Sequence, residues 1–78
     1  MNFQIGQVFN KNNNEMCLIE LINYEDKIYG LFSIEGTKVT FTFYEIYDTG
    51  SSYKLLAVTD DNLNNKLLEI FEEMNKDE

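Results

Sequence analysis

The segment Glu15–Tyr24, EMCLIELINY, carries apolar side chains on both sides of an extended chain. Because successive side chains of a β-strand point to opposite faces, its apolar side chains divide into two sets: Met16, Leu18 and Ile22 on one face, and Cys17, Ile19 and Leu21 on the other. A strand of this kind lies centrally in a sheet and is covered on both faces. Both faces of the sheet therefore need a cover.

Turn signals divide the remainder of residues 1–58 into short strands. The first strand, NFQIGQVFN, is predicted to place Phe3, Ile5 and Phe9 on one side, with Gly6 allowing a bulge or a close backbone approach. Four turns are predicted, in the order KNNN (Lys11–Asn14), YEDK (Tyr24–Lys27), EGTK (Glu35–Lys38) and DTGSS (Asp48–Ser52). A fifth strand, YKLLAV, follows the last of them.

The fourth strand, VTFTFYEIYD, changes phase along its length. Val39, Phe41 and Phe43 alternate with threonines, whereas Tyr44 and Ile46 belong to the opposite phase. Either a β-bulge near Phe43 and Tyr44 or partial cover on both faces of the strand would explain the change, and we expect the bulge.

Residues 59–75 have the pattern of an amphipathic helix. Thr59 or Asp60 can cap its N-terminus, where the acidic Asp60 and Asp61 complement the helix dipole. A stripe with the helical period is predicted to face the sheet, and it consists of Leu63, Leu67, Ile70, Phe71 and Met74.

These elements predict one α+β domain over residues 1–78: a twisted antiparallel meander of about five strands in residues 1–58, then the helix. A helix of this length spans about 21 Å and covers only one face of the sheet. Either the sheet curls into a half-barrel, or its open face is covered by a partner or by a second copy in a homodimer.

The charge of the chain limits the kinds of partner that it can bind. Fourteen acidic residues stand against six lysines, with no Arg or His, and the net charge is −8. Residues 60–78 hold seven acidic residues against Lys66 and Lys76, a net −5. Such a surface repels phosphate backbones and anionic membranes, so we expect a protein partner with a basic surface. The lone Cys17, with neither a signal peptide nor a long apolar run, predicts a cytoplasmic protein.

The DTGSS motif at Asp48–Ser52 also resembles the active-site motif of aspartic proteases. Those enzymes need two aspartates that share a proton, so this chain would have to form a homodimer around Asp48. The resemblance implies a glycine-rich flap after the motif, but the 28 residues after Gly50 contain no glycine. A hairpin loop with Asp48 accepting backbone hydrogen bonds and Gly50 at positive φ explains the motif better.

The residues that other kinds of catalysis require are missing from the sequence. Without His, neither a Ser-His-Asp triad nor a Cys-His pair can form. Cys17 lies in an apolar strand and is predicted to be a buried, inert thiol. The sequence therefore predicts no catalytic residue, no cofactor and no metal site.

Two surfaces are predicted to bind a partner. The helix supplies charge that accelerates association, and the hairpin supplies tyrosines beside acids, a combination typical of interaction hot spots. The predicted residues are Glu69, Glu72 and Glu73 on the helix, and Tyr44, Glu45, Tyr47, Asp48 and Tyr53 on the hairpin. Cross-strand aromatic packing is the structural alternative for the tyrosines.

From about Met16 to Met74 the chain resembles the YrzB-like family of small acidic bacterial proteins of unknown function. The order of LIELINYEDKIYGLFSIEG, FTFYEIYDTGSSYKLLAV and LLEIFEEM carries the resemblance, which implies aromatic strands before an acidic helix and no catalytic residues. The composition is also similar to that of small phage-encoded inhibitors of host defence, including anti-CRISPR proteins.

The expected function is a non-enzymatic, protein-binding inhibitor of a protein with a basic, nucleic-acid-binding surface. A housekeeping adaptor or stabiliser of the YrzB-like kind is the alternative. A homodimeric enzyme using Asp48 is the third hypothesis.

Overall fold

The structure, a computed structural model, describes residues 3–36 and 38–76. In this part of the chain five strands precede one helix: β1 (Val8–Lys11), β2 (Asn14–Tyr24), β3 (Lys27–Ile34), β4 (Thr40–Asp48), β5 (Tyr53–Ala57) and α1 (Asp61–Met74). Each strand pairs antiparallel with the next, so the sheet order is the order of the chain. The α+β meander and its C-terminal helix are thus as the sequence predicts.

Three of the four predicted turns are confirmed in the described residues. Asn12 and Asn13, with φ of 52° and 66°, form the two-residue turn between β1 and β2. Glu25 and Asp26, with φ of 50° and 66°, do the same between β2 and β3, as two-residue hairpins require. The predicted turn at Glu35–Lys38 includes Thr37, which lies outside the described residues.

A β-bulge in β2 overturns the predicted division of its side chains. Leu18 pairs with Phe32 and Glu20 with Leu31, so Ile19 is an extra residue in the ladder. One extra residue reverses the alternation. The faces therefore hold different sets from those expected: Met16, Leu18 and Leu21 on one, and Ile19, Ile22 and Tyr24 on the other.

The bulge predicted in β4 is wrong. The pairing of β4 with β3 runs without a shift from Tyr29 opposite Glu45 to Ile34 opposite Thr40. Phe43 packs on one face of the sheet, and Tyr44 and Ile46 pack on the other. The two phases of the sequence therefore reflect a strand covered on both faces, which is the other explanation above.

The sheet curls into a half-barrel around one of these faces, which we call the concave face. Its fully buried core comprises Phe9, Met16, Leu18, Phe32 and Ile46. Phe9 contacts Phe32 and Tyr53 edge-on, with ring centroids 5.2 and 5.4 Å apart, and Tyr53 also contacts Phe3 at 5.7 Å. Each such pair adds about 0.5–1.5 kcal/mol beyond the area that it buries.

Lys11 links the two edge strands across the concave face. Its Nζ donates a hydrogen bond to the Leu55 carbonyl oxygen of β5 at 3.3 Å and lies 5.5 Å from the centre of the Tyr44 ring. A cation over an aromatic face is attracted by the ring quadrupole. The first and last strands are therefore held near each other by side chains, without a ladder between them.

The opposite face, which we call the helix face, packs against α1. Its buried residues are Ile22, Tyr29, Leu31 and Phe43, and they form one core with Leu67 of α1. Asp60 caps the helix by accepting hydrogen bonds from the N–H groups of Asn62 (2.9 Å) and Leu63 (3.4 Å), so Asp60 rather than Thr59 is the cap.

Two side chains are more exposed than predicted. Within the stripe Leu67 is fully buried and Leu63, Ile70 and Phe71 are partly buried, but Met74 is 49% exposed. Before β1, Gly6 (φ 92°) turns the chain, and its N–H donates to the Leu18 carbonyl oxygen at 2.7 Å. This turn leaves Ile5 56% exposed rather than inside with Phe9.

Gly30 has no side chain, and the space that one would fill is occupied by side chains of the concave core. A Cβ at this position would lie 2.8 Å from both Leu18 Cδ1 and Phe32 Cε2, and neither of those side chains is exposed. We expect Gly30→Ala to lower the free energy of unfolding by about 1–3 kcal/mol, because overpacking displaces rigid neighbours.

Gly36→Ala is the matched control, since a Cβ there would approach no atom of the described residues closer than 3.9 Å. We expect its unfolding free energy to stay within about 0.5 kcal/mol of the parent. Urea denaturation measures both, and equal stability of the two variants would contradict the packing described for Gly30.

Candidate functional site

The acidic residues predicted on the helix lie on its solvent side. Glu69, Glu72 and Glu73 are all exposed, and we call them the acidic helix surface. Glu69 pairs with Lys66 at 3.8 Å and Glu73 with Lys76 at 3.9 Å, each between side chains more than half exposed. Ion pairs of this kind contribute little, about 0–1 kcal/mol, so these carboxylates stay accessible to a partner.

The hairpin residues do not form one surface. Tyr44 and Tyr53 pack against the concave core, where Tyr44 contacts Phe32 with ring centroids 5.8 Å apart. Strand alternation places Tyr47, paired with Lys54, on the helix face together with Glu45. Of the three tyrosines, Tyr47 is the exposed one, at 51%.

The DTGSS segment forms a hydrogen-bonded loop between β4 and β5. The Gly50 N–H donates to Asp48 Oδ1 at 2.7 Å, and Gly50 has a φ of 93°. Thr49 Oγ1 donates to the Ser52 carbonyl oxygen and accepts from the Ser52 N–H, both at 3.1 Å. Asp48 and Gly50 therefore have the roles expected of them in a hairpin loop.

Glu45 lies in a partly buried setting at the helix face. Its carboxylate is 3.8 Å from Lys27 Nζ, and its side chain is 19% exposed. Burial raises the pKa of Tyr29, the residue opposite Glu45 in the ladder, and the charges of Glu45 and Glu25 raise this pKa further. Tyr29 therefore remains a neutral phenol at physiological pH.

An apolar groove separates α1 from β4, and we call it the α1–β4 groove. Its volume is about 410 Å³, within the roughly 300–1,000 Å³ of typical binding clefts. It is lined by Ile19, Leu31, Phe41, Thr42, Phe43, Asn64, Asn65, Leu68 and Phe71. None of the described residues that line it is charged.

The position of α1 across the sheet leaves this groove open. Among the strands, α1 lies closest to β2, and the groove runs along the side of the helix that faces β4, from Asn64 to Phe71. The start of the helix lies beside the β2–β3 turn, where Asp60, Leu63 and Tyr24 line a common cleft. Phe41, on β4, is 63% exposed as a result.

Phe41 and Leu68 are the residues of this groove that sequence reasoning missed. Phe41 shares the phase of the buried Phe43, and alternation cannot tell which residues of one phase a helix covers. Leu68 follows the buried Leu67 but lies outside the apolar stripe that faces the sheet. Its position outside the stripe was the available signal for an exposed leucine.

The environment of Cys17 differs from the one predicted. Cys17 is half-buried rather than buried, and its thiol lies 4.0 Å from the Leu18 carbonyl oxygen. Residues 3–36 and 38–76 contain no cluster of three or more His, Cys, Asp or Glu able to hold a metal ion. In the same residues, no helix has the length and apolar character needed to cross a membrane.

Comparisons with protein-family models, with curated proteins and with solved structures gave no match. They do not bear on the YrzB-like resemblance, which stays a prediction.

Proposed function

We propose that this chain is a small, acidic, non-enzymatic binding module that inhibits a protein by occupying its basic, nucleic-acid-binding surface. This proposal groups the chain with the phage-encoded inhibitors of host defence. The site of the proposed action is the cytoplasm.

The observation that carries the proposal is the accessible, unbalanced charge of the acidic helix surface. The side chains of Glu69 and Glu73 are 69% and 73% exposed, and the whole chain has a net charge of −8. Unbalanced charge of this kind steers association with a surface of opposite sign and weakens as salt rises. It also disfavours direct binding to nucleic acid or to an anionic membrane.

The first experiment is affinity capture from the host with the chain as bait, followed by mass spectrometry. A bait with Glu69, Glu72 and Glu73 all replaced by Gln is captured in parallel. The proposal requires a partner with a basic surface that the parent chain retains better than this variant does. Binding of the captured protein to nucleic acid should then fall as the parent chain is added, and unchanged nucleic-acid binding would contradict inhibition.

The Glu69→Gln, Glu72→Gln, Glu73→Gln variant should lower the association rate constant for that partner and flatten its salt dependence. The dissociation rate constant should change little, because exposed charges act mainly on the encounter. Surface plasmon resonance at several salt concentrations measures both constants.

A matched control replaces Glu15, Glu25 and Glu35 by Gln. These three glutamates are also exposed, and the change in net charge is the same. We expect a smaller effect on the association rate constant. Equal effects of the two triple variants would show that net charge alone acts and that the helix is not the steering surface.

Tyr47 is the hairpin residue best placed to contact the partner. We expect Tyr47→Ala to raise the dissociation rate constant at least about tenfold, which corresponds to about 1.4 kcal/mol. Ile5→Ala, which truncates another exposed apolar side chain (56%), should leave the dissociation rate constant at the parent value. An unchanged dissociation rate for a folded Tyr47→Ala protein would remove the hairpin from the interface.

Tyr53→Ala does not give the same test. Its ring packs against Phe3 and Phe9, so truncation would weaken the concave core together with any contact to a partner.

A further inference from the structure

We propose that the α1–β4 groove is where the partner docks, by inserting a large apolar side chain that has lysines or arginines on either side in its own sequence. This inference rests on the proposed function for the sign of the partner's charge. It adds the place of docking and the chemistry of the segment that docks.

Each wall of the groove carries an exposed apolar side chain beside uncharged polar ones, whereas its floor is buried. Phe41 on β4 is 63% exposed and Leu68 on α1 is 47% exposed, and both line the same cleft. Beneath them Leu31 and Phe43 are only 6% and 7% exposed. Isolated exposed apolar residues are ordinary, but a concave apolar cleft with two exposed walls is the form that binding sites take.

The rim of the groove carries only negative charge along the helix. Glu72 is four residues after Leu68, and Asp61 is seven residues before it, so both share its side of α1. Neither forms an ion pair with another residue in the described ranges 3–36 and 38–76. Lys66, the lysine within α1, pairs with Glu69 instead. A cationic segment is therefore complementary to this rim.

The same charges argue against a second copy as the occupant. In a two-fold dimer the same patch faces itself, so Glu72 and Asp61 of one chain would approach those of the other. Each chain also has a net charge of −8, and like charges brought together oppose association. A partner segment with an apolar side chain beside basic residues is complementary both to the groove and to its acidic rim.

Two synthetic, fluorescein-labelled helical peptides test the proposal. The Lys–Leu peptide has leucines on one face and lysines on the other, and the Lys–Ala peptide has alanines in place of the leucines. Fluorescence anisotropy at low salt gives the Kd of each peptide for the parent chain. We expect the Lys–Leu peptide to bind at least about tenfold more tightly, a difference of about 1.4 kcal/mol.

The test variant combines Phe41→Thr with Leu68→Gln, which keep a strand former in β4 and a helix former in α1. It should weaken binding of the Lys–Leu peptide at least about tenfold and leave the Kd of the Lys–Ala peptide unchanged. Val8→Thr is the matched control, because Val8 is 57% exposed but lies outside the groove lining. It should change neither Kd. Thermal unfolding checks that each variant is folded.

Each other outcome overturns a distinct claim. Equal Kd values of the two peptides for the parent chain, or an unchanged Kd for the double variant, would overturn docking in the groove while leaving the acidic binding module intact. No binding of either peptide would instead overturn the proposed function. A parent chain that sediments as a dimer and a double variant that sediments as a monomer would make a second copy the occupant and contradict the inference.

Discussion

Leu18 and Ile22 belong to the same strand and have the same alternation phase in the sequence, but they pack in different cores. The extra residue Ile19 between them is the constraint on which the rest of the structure depends. It turns Leu21 toward the concave face and Ile22 toward the helix. Because β2 then contributes buried side chains to a core on each face of the sheet, both faces have to be covered.

The two covers are of different kinds. On the concave face the sheet covers itself by curling, and Gly30 permits the close packing of Leu18 and Phe32 that this curvature requires. On the helix face the cover is α1, which lies closest to β2 and leaves Phe41 on β4 exposed. The part of the face that α1 leaves open is the α1–β4 groove. The feature proposed to dock a partner is therefore a consequence of a single helix covering only part of the width of a five-stranded sheet.

Local signals predicted much of this fold. The Asn12–Asn13 and Glu25–Asp26 turns, the cap at Asp60 and the stripe centred on Leu67 follow from residue type and spacing within a few positions. The bulge does not, because it is defined by which β3 residue pairs with Leu18 and which with Glu20. Alternation in β4 is ambiguous for a related reason: a strand covered on both faces and a bulged strand have the same apolar pattern.

The candidate site was predicted less well than the fold. Exposure of Glu69, Glu72 and Glu73 follows from the helical period. The grouping of Tyr44, Tyr47 and Tyr53 into one surface failed, because closeness along the chain does not place side chains on the same face of a strand. Phe41 could not be recognised as exposed, since its exposure depends on where α1 lies across the sheet rather than on anything near it in sequence.

Native-state amide hydrogen exchange tests most directly whether both covers are needed for one cooperative structure. The amide of Leu18, bonded to the Gln7 carbonyl oxygen at 2.9 Å, and the amide of Leu67 in α1 are expected to exchange with the same free energy. That free energy should equal the global free energy of unfolding, because undocking α1 would expose Ile22, Leu31 and Phe43. Exchange of the Leu67 amide through an opening of much lower free energy, with Leu18 still protected, would show that the sheet is stable without the helix and would contradict a single cooperative structure.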